Sequence, residues 1–217
     1  MLPSSDTVMR QDLVETIDPH YTAALDAFLT RLNIAPGRAD VVKTFHAVRN
    51  FRYFSNGDRS PLTALRDERG ACTAKHILLR DLLRRQGEAA DVELTEGDFA
   101  ASMPLVKSMP DALKAWISSG GIHDFHCYVV WRGVEREQIL DATWPDKLSS
   151  FGFPVNASWA GEGDTLLAIK PMHVKARVED VIGRKERMLS TLSREELHNR
   201  RVFLSLLSEW LSGLDYN

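Results

Sequence analysis

Apolar residues recur along this chain with helical spacing, then with the alternation of strands, then with helical spacing again. From Asp12 to Leu32 the positions Leu13, Ile17, Tyr21, Ala24, Leu25, Phe28 and Leu32 follow a helical rhythm, and Pro19 predicts a break into two pieces. Ala-Pro-Gly at 35–37 is a connector, and Val41, Val42, Phe45 and Val48 share one face of a second helix from about Arg38 to Asn50. Ser55-Asn56-Gly57-Asp58 reads as a loop. Ser60-Pro61 reads as an N-cap with proline at the first helical position of a short helix ending near Leu65. In the run RGACTAKHILLRDLLRRQG, Ala74, Leu78 and Leu82 form one helical row with Leu79 and Leu83 beside it. Gly87 stands where a left-handed cap residue belongs.

The rhythm then changes. Ala90 to Thr95 alternates as a strand should, and further strands are expected near Phe125–Trp131, Gln138–Thr143 and Thr165–Ile169. Glu96 to Ile122 is a long connection holding a short helix from Pro110 to Ser118, and a connection of this length is expected to form a wall or lid over a cleft. The last helix opens on the capping box Ser193-Arg194-Glu195-Glu196, ahead of Leu197, Phe203, Leu204, Leu207, Trp210 and Leu211. Helices, a meander and helices again predict an α+β protein. A chain of 217 residues can bury one sizeable core. We expect an N-terminal helical extension (1–37), a core (38–170) and a C-terminal helical extension (171–217), together one compact domain.

Composition narrows the field without naming a function. The chain is 44% hydrophobic and 26% charged, with a formal charge of -3, so nothing marks it for nucleic acid or an anionic membrane surface. The first residues lack the apolar stretch of a signal peptide and no run reaches the length of a membrane span, so the expected location is cytoplasmic. Two cysteines, Cys72 and Cys127, exclude a disulfide scaffold. A bridge between them competes with a catalytic role for Cys72. Neighbours in a strand point to opposite faces, so if His126 faces Cys72, Cys127 is expected to face away.

Cys72 lies at the start of its helix, where backbone N–H groups and a nearby imidazole lower a thiol pKa. Bringing it from about 8.5 to roughly 6 is worth about 3 kcal/mol and leaves mostly thiolate at neutral pH. His126, on the predicted strand FHCYVVW, is the expected base. Asp141, in the apolar run EQILDATW, needs a partner if buried, and orienting the imidazole would satisfy it. His76, one turn after Cys72, and His123 are rival bases.

The run from Phe51 to Val92, with Gly-x-Cys opening an apolar helix, followed by HCYVVWRGVEREQILDAT, resembles the transglutaminase-like superfamily. The likeness covers roughly Arg38 to Ile169 and leaves the flanking helices outside. It implies a papain-like core, a Cys-bearing helix packed on an antiparallel sheet. It also implies a catalytic triad of Cys72, His126 and Asp141, acting as an acyltransferase or a cysteine protease-like hydrolase. Expected substrates are a peptide, a protein side-chain amide or a small amide, with no cofactor. Two other readings stay open: a non-catalytic binding module that keeps the fold, and a zinc site built from Cys72, His76, His126 and Asp141.

Overall fold

The computed structural model describes residues 18–35, 39–133 and 135–214. The predicted helical piece before Asp18 and the Pro36-Gly37 connector lie outside them. The protein is a mixed α+β structure around a curled antiparallel sheet.

Helix α1 (Pro19–Arg31) begins at the proline expected to break it. Asp18 accepts the His20 N–H at 2.9 Å, and Pro19 sits where a missing N–H costs nothing. Helix α2 (Val41–Arg49) is capped by Asp40, and α3 (Pro61–Asp67) by Ser60 as its sequence signal indicates. Helix α4 (Cys72–Arg85) ends ahead of Gly87, whose φ of 88° confirms the left-handed cap position. A two-residue parallel pair, β1 (Arg52–Tyr53) and β2 (Arg69–Gly70), leads into α4 and is too short to leave a periodic signal.

The main sheet has the order β5-β4-β3-β6, all antiparallel, from β3 (Ala90–Asp98), β4 (His123–Arg132), β5 (Glu137–Leu140) and β6 (Lys170–Arg177). Side chains alternate across β4, and one face feeds the first core. Phe125, Cys127 and Val129 pack with Leu78, Leu79, Leu82 and Leu83 of α4, with α1 and α2, and with α6 (Val181–Leu189). Each buried leucine there contributes about 1.5–3 kcal/mol. The second core joins α5 (Asp111–Ser119) to α7 (Arg194–Ser212) through Phe99, Leu113, Ile122, Phe203 and Leu207. The predicted capping box at Ser193 and Glu196 is present at the start of α7. Among the described residues no helix is long and apolar enough to cross a membrane.

Two expectations are corrected. Residues 165–169 are not a strand, because their backbone N–H groups are spent elsewhere. Leu166 donates to Asn156 Oδ1 (2.7 Å) and Ala168 to Asp141 Oδ2 (2.8 Å), leaving the ladder position beside β3 to β6. The connection from Glu96 to Ile122 is not a lid. Phe99, Ala100, Met103, Met109, Leu113 and Ile117 point inward, and the segment forms the floor of the second core.

Lys75 ties the entry to α4 together. Its ammonium is fully buried and donates to the carbonyls of Arg49 (2.8 Å), Phe51 (2.9 Å) and Thr143 (3.0 Å), joining the end of α2, the approach to β1 and the turn after β5. Methionine matches lysine's length but donates nothing. Lys75→Met is therefore expected to cost about 3 kcal/mol or more, read as a lower urea midpoint at unchanged slope.

Candidate active site

Cys72 is the first residue of α4, and its N-cap, Ala71, supplies no side-chain hydrogen bond. The first-turn N–H groups are thus uncapped by a side chain, and the positive end of the helix bears on the thiol. The residue is 5% exposed and lines a cleft of about 470 Å³. That volume suits one side chain or a small ligand.

His126 stands between Cys72 and Asp141. Its Nε2 donates to Asp141 Oδ2 at 2.7 Å, and both side chains are only 1% exposed. Its Nδ1 is buried and makes no hydrogen bond to a described residue, and the ring and the Cys72 thiol act on each other electrostatically. Phe99 stacks on the ring, with centroids 6.4 Å apart, and holds its plane. Asp141 lies one residue past β5 rather than inside the longer strand expected. There it accepts N–H groups from Thr143 (2.9 Å) and Ala168 (2.8 Å), while Thr165 Oγ1 accepts the Asp141 N–H at 2.7 Å. Orienting the histidine and capping the turn are both done by this one carboxylate.

Electrostatics favours an ion pair. Burial opposes the charged form of His126, but the adjacent Asp141 carboxylate and Cys72 outweigh it and raise the pKa to about 10. The Cys72 thiol falls well below its usual value. A hydrogen bond from Cys127 is the largest cause, burial opposes it, and Lys185 and His126 add to it. Burial also opposes the ionised form of Asp141, yet His126 and His76 hold its pKa well below the carboxylate range.

Family models, curated proteins and solved structures contain no match to this chain. What the site can do is therefore argued from its geometry.

The structure brings Cys72, His126 and Asp141 together and removes the rivals. The Ala142 N–H donates to His76 Nε2 (2.7 Å), so the ring's hydrogen sits on Nδ1 and is given to the Cys72 carbonyl (2.7 Å). With both nitrogens bound to backbone, His76 serves neither as base nor as zinc ligand. Among the described residues no cluster of histidine, cysteine and carboxylate side chains could hold a metal ion. His123 is engaged by Glu96 (2.7 Å) and Glu196 (3.4 Å).

Cys127 does not turn away from Cys72 as strand alternation predicted. Strand β5 covers β4 only from Val129 onward, so the earlier edge of β4 is open to the start of α4. Cys127 Sγ lies 3.5 Å from the Thr73 hydroxyl, which is itself 3.9 Å from Cys72 Sγ, and both cysteines are free.

The cleft is walled by residues the sequence reading did not pick out: Tyr53, the 55–59 loop, and side chains of α6 and α7. Lys185 of α6 lies 3.5 Å from Cys72 Sγ, and Arg200 of α7 grips Asp124 with two bonds of 2.8 and 3.1 Å. A sign of Lys185 was legible, since Val181, Lys185, Met188 and Leu189 have the spacing of a buried helical stripe. Nothing local marks Arg200.

Two measurements check this site. Denatured, unreduced protein is expected to titrate two free thiols, whereas a Cys72–Cys127 bridge would give none. Asp141→Asn is expected to cost roughly 2–4 kcal/mol near neutral pH. The pH window follows from the signs. His126, with its raised pKa, contributes stability that is full below about 6.5 and is lost as pH rises towards about 10. Asp141, with its lowered pKa, contributes above about 3.9 and loses it as pH falls. Urea unfolding across pH should therefore show the gap between wild type and Asp141→Asn closing at both ends.

Proposed function

We propose that the protein performs acyl transfer or amide hydrolysis through a thioester on Cys72, on a papain-like core of the transglutaminase-like kind. The observation that carries this is His126 held at 2.7 Å by Asp141, with its other face towards a thiol at a helix start that opens on a cleft. In this reading the Cys72 thiolate attacks the substrate carbonyl carbon, and the first-turn N–H groups of α4 receive the developing oxyanion. The imidazolium gives its Nδ1 proton to the leaving amine as the C–N bond breaks, leaving a thioester. The neutral ring then takes a proton from water or from an acceptor amine, which attacks the thioester and releases the thiolate. Asp141 keeps the ring in one orientation throughout.

These steps draw on side chains and backbone alone. The substrate class is a peptide, a protein side-chain amide or a small amide, and a cytoplasmic location goes with this reading. A non-catalytic module with the same fold is the outcome in which Cys72 accepts no acyl group.

The test uses p-nitrophenyl acetate as a probe, with intact mass as the readout. Wild type is expected to gain one acetyl group on Cys72, removable by hydroxylamine. Cys72→Ala should gain none, and His126→Ala should acylate about 10²- to 10⁴-fold more slowly. A wild-type protein that takes up no more acetyl than Cys72→Ala would leave the binding-module reading.

A further inference from the structure

The buried stripe of α6 contains a lysine. Val181, Lys185, Met188 and Leu189 face inward, and the Lys185 side chain is 3% exposed. An ammonium at such a position is costly unless an anion stands beside it. Two are near: Asp124 Oδ1 at 3.9 Å and Cys72 Sγ at 3.5 Å. Asp124 already has a cation, because Arg200 holds both its oxygens and the Phe125 N–H donates to it as well (2.7 Å). The sulfur is therefore the site's remaining anion for Lys185.

We propose that Lys185 is the counter-ion of the Cys72 thiolate, a positioning residue supplied by α6. With the thiol ionised, each buried anion has its own cation: Asp124 with Arg200, Asp141 with His126, and Cys72 with Lys185. With the thiol protonated, Lys185 must share an aspartate already held by arginine. The inference rests on the proposed thiolate chemistry of this site, and it changes what holds the nucleophile ready. An imidazolium alone can return its proton to the resting sulfur, whereas an adjacent ammonium favours the ionised sulfur before attack and again when the thioester is cleaved.

The titratable and charged groups that act on Cys72 are His126, Cys127 and Asp124 on β4, Lys185 on α6, Arg200 on α7, Tyr53 on β1 and, from the other side of the helix, Lys75 on α4 itself. Asp124 is the like charge among them and favours the thiol, and Arg200 offsets it. Burial lowers the pKa of Lys185, while Cys72 and Asp124 more than reverse this, so the ammonium keeps its proton.

The test is the apparent pKa of Cys72, from thiolate absorbance in the far ultraviolet and from iodoacetamide alkylation rates across pH, with Cys72→Ala subtracted to remove Cys127. Lys185→Met is expected to raise that pKa by about 1 to 3. Lys185→Arg, which keeps the charge, should stay near wild type, and His126→Ala should keep most of the lowering. Lys185→Gln stands in if the methionine variant does not fold, with circular dichroism confirming the fold. An unchanged pKa in Lys185→Met or Lys185→Gln, or a return to the ordinary thiol value in His126→Ala alone, overturns the proposal. Acylation by the nitrophenyl ester reports on the triad separately. A low pKa that depends on Lys185, without acylation, would uphold the counter-ion and remove the enzyme.

Discussion

Burying an ionised carboxylate costs several kcal/mol unless charges and donors surround it, and the region around Cys72 is arranged to surround Asp141. Its oxygens take the His126 ring at 2.7 Å and two backbone N–H groups. Those donors come from β4, from the turn after β5 and from the stretch that wraps back before β6. The same stretch forgoes strand pairing to supply Ala168, and Thr165 holds the Asp141 backbone in place. The carboxylate thus sets where the sheet ends and how the imidazole is aimed.

Lys75 does the complementary work on the other side of α4. A cation solvated by three carbonyls fixes the helix start against α2, β1 and the Thr143 turn. His76, next in sequence, bridges the Cys72 carbonyl and the Ala142 N–H. Two consecutive buried polar residues of α4 therefore lock the thiol-bearing turn to the turn that bears the carboxylate.

The site lies at the seam of two hydrophobic cores. Cys127 belongs to the core under α4, while His126 stacks on Phe99 of the core under α7. That placement explains how helices from the end of the chain enter the cleft. Both α6 and α7 cover apolar surface, and each carries one cation, Lys185 and Arg200, across the seam to the thiol side. Of these, the inward lysine could be read from periodicity. Arg200 could not, because its reason for being buried is Asp124, 76 positions away.

The sequence by itself determined the local structure: helix spacing, the Ser60 and Ser193 caps, the Gly87 stop and the alternation of β3 and β4 follow from residues a few positions apart. It also placed a cysteine at a helix start and marked His126 and Asp141 as polar residues in apolar runs. Only the tertiary structure decided which histidine faces the thiol, that residues 165–169 serve Asp141 instead of a ladder, and that the long connection is core and not lid. The physical reason is the same in each case. A backbone donor or a ring nitrogen has several satisfactory local partners, and the choice among them is made by charges and acceptors that only folding brings near.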